Sequence, residues 1–77
     1  MKLIKKQQSE SLGKLWRYFD YNKTKMAKEL GVDVQTVYMW FTRKRISATG
    51  AILAERITNG FVTKQELRPD VREWFGQ

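Results

Sequence analysis

The chain has 77 residues, with 15 Lys and Arg against 8 Asp and Glu and neither cysteine nor histidine. That composition excludes disulfides, thiolate zinc sites and histidine-based acid–base catalysis. The net charge of +7 lies within Met1–Ile46, which holds eleven basic and four acidic residues, whereas Ser47–Gln77 holds four of each. A basic excess confined to one part of a small domain points to a polyanionic partner, most simply nucleic acid.

Met1–Glu10 is basic and polar and reads as an N-terminal arm over residues 1–10. It starts like a signal peptide, but Gln7–Glu10 stands where the apolar stretch should be. No segment is long enough to span a bilayer, so a cytoplasmic protein is expected, with no membrane partner. Ser9 or Ser11 can cap a first helix running to about Tyr21, with Leu12, Leu15, Trp16 and Phe19 on its apolar face. Asn22 can cap a second helix, Lys23–Leu30, which buries Met26, Ala27 and Leu30.

Gly31 follows the last apolar position of that helix. Glycine takes left-handed backbone angles without a Cβ penalty, so it ends helices. Asp33 can then cap a third helix, Val34 to Arg43 or Lys44. One helix stopping and another starting within a few residues is a helix-turn-helix. Arg43, Lys44 and Arg45 form a basic link. Ser47 can cap a fourth helix, Ala48–Thr58, closed by Asn59-Gly60. Thr63-Lys64-Gln65-Glu66 matches a capping box that opens a short helical turn, which Pro69 stops. The reading is an all-α bundle of four to five helices: a DNA-binding unit over 11–70 and an aromatic tail over 71–77.

At helical spacing, Val37, Trp40 and Phe41 share the core side of the third helix. Gln35, Tyr38, Met39 and Thr42 lie opposite, with Val34 and Thr36 on the flanks. The outward side carries no Lys, Asp or Glu, which an ordinary solvated helix would have. Its side chains suit base edges: Gln can pair with adenine N6 and N7, while Val34 and Thr36 can pack on thymine methyls. Phosphate candidates flank it. Lys23, Thr24 and Lys25 lie at the start of the second helix, where the dipole favours an anion. Thr42, Arg43, Lys44 and Arg45 lie at the end of the third. Tyr38 and Met39 would also suit a protein contact.

The segment "KTKMAKELGVDVQTVYMWFT", Lys23–Thr42, resembles the helix-turn-helix of Cro repressors from lambdoid phages, with Ala27, Gly31, Val37 and Trp40 at the motif's buried positions. "ITNGFVTKQELRPD", Ile57–Asp70, resembles the end of the YdaS-like group of Cro-related regulators and antitoxins. The resemblance implies a Cro/lambda-repressor-like helical repressor of a phage or prophage that binds a palindromic operator. By position, Val34, Gln35, Thr36, Tyr38 and Met39 correspond to the family's base-reading residues. Residues 1–10 look longer than the family's usual lead-in, and the resemblance does not place "VREWFGQ".

The leading expectation is therefore a sequence-specific double-stranded DNA-binding transcriptional regulator. An antitoxin-like module that holds a toxin or an opposing repressor, with autoregulatory DNA binding, is the alternative. A helical RNA-binding module would want exposed aromatics on a sheet or loop, and none is evident. No paired carboxylates, nucleophile–base set or phosphate-binding glycine loop marks an enzyme or a small-molecule substrate. Nothing calls for a cofactor or metal. A homodimer on two half-sites about 10 base pairs apart is expected. Ala51, Ile52, Leu53 and Ala54 are consecutive apolar residues, so Ile52 or Leu53 is left for another surface. Trp74 and Phe75 are expected to join it at the subunit interface.

Overall fold

A computed structural model describes residues 2–75 and shows α1 (Lys2–Tyr18), α2 (Lys23–Leu30), α3 (Val34–Arg43), α4 (Ala48–Ile57) and α5 (Lys64–Leu67), followed by a 3-10 turn at Arg72–Phe75. The fold is all-α, with no strand among the described residues. None of these helices is long and apolar enough to cross a membrane. One core gathers side chains from every helix. Leu12, Leu15 and Phe19 come from α1, Met26, Ala27 and Leu30 from α2, and Val37 and Trp40 from α3. Ile46, Ala51, Ala54, Val62 and Leu67 complete it.

The caps follow the local chemistry. Asn22 Oδ1 accepts from the Lys25 N–H at 3.0 Å, and Ser47 Oγ accepts from the Gly50 N–H at 3.0 Å. Thr63 and Glu66 form the reciprocal box: Thr63 Oγ1 accepts from the Glu66 N–H at 3.2 Å, and Glu66 Oε2 accepts from the Thr63 N–H at 2.9 Å. Gly31 ends α2 at φ 74°, and the Val32 N–H reaches back to the Ala27 carbonyl at 3.0 Å. A Cβ on Gly31 would meet nothing within 4 Å. The cost of Gly31→Val is therefore backbone strain alone, about 1–3 kcal/mol for a β-branched residue at positive φ. Its thermal midpoint should fall by roughly 4–8 °C per kcal/mol, readable by circular dichroism. An unchanged midpoint would remove Gly31 from the role given to it.

Three local expectations differ from the fold. Residues 2–10 continue α1, which does not wait for Ser9 or Ser11 as a cap. Ser11 instead faces inward, its hydroxyl 3.5 Å from Glu66 Oε1 on α5, and buried Gln8 donates to Asp70 Oδ1 at 2.9 Å. These contacts hold the early turns against the far end of the chain. Second, α1 ends at Tyr18 rather than Tyr21, because Asp20 and Tyr21 both take φ 58°. The Tyr21 ring meets Trp16 edge-on at 5.1 Å, a contact that offsets part of that strain. Third, Asp33 occupies the N-cap position of α3 but makes no side-chain capping bond. Its backbone carbonyl accepts from Thr36 and Val37 instead.

Candidate nucleic-acid interface

The turn Gly31–Asp33 sets α3 across α2, and burial divides α3 into two sides. Val37 and Trp40 are buried, whereas Gln35, Tyr38, Met39 and Thr42 are exposed. Val34 is half-buried and packs on the core, so it presents only part of its surface. Thr36 is half-buried and, with Met39, lines one wall of a groove. The Thr42 hydroxyl donates to the Tyr38 carbonyl at 3.0 Å, which occupies its proton within the helix. The outward side is uncharged until Arg43. There the cations begin: Arg43, Lys44 and Arg45 are all exposed, and Lys44 turns the chain at φ 56°.

At the other end of the motif the three residues expected to meet phosphate differ. Thr24 is exposed. Lys25 is exposed too, but its ammonium pairs with Asp20 at 3.3 Å. Lys23 is half-buried in an aromatic setting. Its Nζ lies 4.2 Å from the Trp16 ring centre, 4.7 Å from Phe41 and 5.6 Å from Tyr38. A cation over ring faces gains electrostatically from each quadrupole. Lys23 therefore ties α1, α2 and α3 together and steadies Tyr38 as well as carrying charge. The Trp16 indole N–H is buried and has no hydrogen-bond partner among the described residues.

The groove, about 860 Å³, runs from Thr36 and Met39 past Arg43, Lys44 and Arg45 to Arg68 and Asp70. Its far wall holds an ion cluster that the local sequence patterns leave unmarked. Arg68 grips Asp70 with a fork, Nε to Oδ1 at 2.9 Å and Nη2 to Oδ2 at 2.8 Å, while Nη1 donates to the Ile46 carbonyl at 3.2 Å. Arg45 Nη2 stands 3.5 Å from Asp70 Oδ2, and Gln8 reaches the other oxygen. The bond from Arg68 holds the Asp70 carboxyl down at about 2 against the opposing effect of burial, and the same bond raises Arg68. The one sequence signal was an arginine and an aspartate on either side of Pro69. Its partners are too far away along the chain to be inferred.

The residues expected at a subunit contact separate. Ile52 is exposed, and Leu53 is half-buried against the core of its own chain. Trp74 is also half-buried on that core, with the Lys64 ammonium 5.7 Å from its ring centre. The Phe75 side chain lies outside the described residues. Among the described residues, no group of three His, Cys, Asp or Glu side chains could hold a metal ion.

No curated protein and no solved structure shows a significant match to the chain. Residues 22–74 match the family described as bacterial toxin YdaS, a span that runs from the Asn22 cap of the helix-turn-helix to Trp74. The description is that of a toxin, where the sequence resemblance pointed to regulators and antitoxins. With most of its length inside that match, the chain belongs to the YdaS toxin family.

Proposed function

We propose that the chain is a sequence-specific double-stranded DNA-binding regulator of the Cro repressor type, which lays α3 in the major groove and binds a palindromic operator as a dimer. The observation that carries this reading is the outward side of α3. Gln35, Tyr38 and Met39 are exposed and uncharged on it, and Arg43, Lys44 and Arg45 follow at its end. Uncharged hydrogen-bonding and apolar groups read bases, and cations at the rim hold phosphates.

The test is selection of bound sequences from a random duplex pool at stated salt, followed by two kinds of variant. Gln35→Ala should cost on the order of 1–3 kcal/mol on the selected sequence and flatten preference at one base pair. Arg43→Ala and Lys44→Ala should weaken all duplexes alike, each making the salt dependence shallower by about one unit. An unaltered ratio of selected to random binding in Gln35→Ala would remove its base-reading role.

The family's description supports a second reading, in which the chain is one member of a toxin–antitoxin pair and its DNA binding is autoregulatory. Induced expression in bacterial cells separates the two. Growth arrest abolished by Gln35→Ala together with Arg43→Ala would make toxicity a consequence of DNA binding. Arrest that survives both substitutions would assign it to a protein partner.

A further inference from the structure

We infer that Asp70 is a built-in counter-ion that occupies Arg45 and holds down the sequence-independent affinity of the interface for polyanions. The inference rests on the DNA-binding reading for its biological meaning and on the groove geometry for its physics. Three exposed cations follow the outward side of α3, but they are not equivalent. Arg43 and Lys44 have no carboxylate partner among the described residues, whereas Arg45 faces Asp70 at 3.5 Å. Arg45 and Asp70 line the same groove as Thr36 and Met39, so the carboxylate sits beside the path that a phosphate backbone would take along the end of α3.

Asp70 is held there. The Arg68 fork and the Gln8 amide fix both of its oxygens, and the Arg68 side chain is only 10% exposed. Arg68 donates its remaining arm to the Ile46 carbonyl, so it is committed to the fold and cannot turn to a phosphate. The Arg45 side chain is 54% exposed and free to choose between two anions. To meet a phosphate Arg45 has to give up its contact with Asp70, so its charge counts for less at the interface than that of Arg43 or Lys44. Random duplex is bound by cations releasing counterions, so each cation already answered within the protein removes about one unit from the salt slope. A like-charged carboxylate near the phosphates also repels them directly.

Salt titrations of random duplex, with heparin–agarose elution in parallel, test this. Asp70→Asn should tighten random-duplex binding about fivefold at 0.1 M salt and steepen the slope by about one unit. It should also elute from heparin at higher salt than wild type. Glu29→Gln makes the same change in formal charge at an exposed α2 position with no ion pair among the described residues. It should do markedly less. Arg45→Ala, at an exposed position, should flatten the slope much less than Arg43→Ala or Lys44→Ala does. In the Asp70→Asn background the Arg45→Ala change should recover a full unit. The inference is overturned if Arg45→Ala costs as much as Arg43→Ala in the wild-type background, or if Glu29→Gln tightens binding as Asp70→Asn does. Absence of any preferred duplex would overturn the DNA-binding reading alone, because the heparin order still reports on Asp70.

Discussion

Gly50→Ala is expected to destabilise the domain by about 1–3 kcal/mol, lowering the thermal midpoint by roughly 4–8 °C for each kcal/mol. A Cβ added at Gly50 would lie 2.6 Å from Trp40 Cζ2 and 2.9 Å from both Trp40 Cη2 and Ile46 Cγ1. Real carbon contacts do not close to that distance, so the Trp40 ring or α4 has to move. Trp40 is buried in the same core cluster as Ile46, which leaves it little room. A domain of this size has total stability of only about 4–11 kcal/mol, so the loss is a large share. The cause is steric, and it can be separated from glycine's helix propensity. Trp40→Phe removes the part of the ring nearest to Gly50. Alanine at position 50 should therefore cost clearly less in a Trp40→Phe background than in the wild type. Equal costs in the two backgrounds, measured by denaturant unfolding, would show that the indole is not what forbids a Cβ.

The second large effect is expected at Arg68. Arg68→Met keeps much of the side-chain volume but removes the fork on Asp70 and leaves the Ile46 carbonyl without this donor. Hydrogen bonds to charged groups and an unpaired buried carbonyl together set the cost at about 2–4 kcal/mol. Acid titration supplies a second readout. The Asp70 carboxyl sits at about 2 in the folded chain, below its ordinary 3.8. A depressed folded-state value gives stability that is fully present above the ordinary value and is lost as pH falls through about 2. Part of that carboxylate is open to water, so its share is on the order of 1 kcal/mol. Between pH 5 and pH 2 the wild type should therefore lose more stability than Arg68→Met does. Parallel pH profiles for the two proteins would show that the fork does not hold the carboxylate down.

What could be foreseen follows from how far each cause acts along the chain. Gly31, Asn22, Ser47 and the Thr63–Glu66 box act within a few residues, and their bonds form where the local pattern puts them. The helical period alone separates buried Val37 and Trp40 from exposed Gln35, Tyr38 and Met39. Asp33 satisfies the same pattern, but its side chain makes no cap, because position allows a bond without requiring one. The ion cluster had no local sign. Gln8 and Asp70 are 62 residues apart, and Arg45 and Asp70 are 25 apart. Lys23 belongs with them: the rings around its ammonium, Trp16 and Phe41, come from other helices. Gly50 reads as a weak helix former until the Trp40 ring is placed against it.

The Gln8–Asp70 bond also bears on the order of assembly. Only three residues separate α2 from α3, and their turn closes with little loss of chain freedom. Joining α1 to the segment after α5 closes a loop of about sixty residues, and the entropy cost of closure rises with loop length. Contacts between near neighbours are therefore expected to form first, with the two ends of the chain meeting late. Interactions made after the folding barrier govern how fast a protein comes apart, not how fast it forms. Gln8→Ala should accordingly speed unfolding while leaving the refolding arm of a chevron plot nearly unmoved, so that this clasp acts chiefly on the lifetime of the folded state.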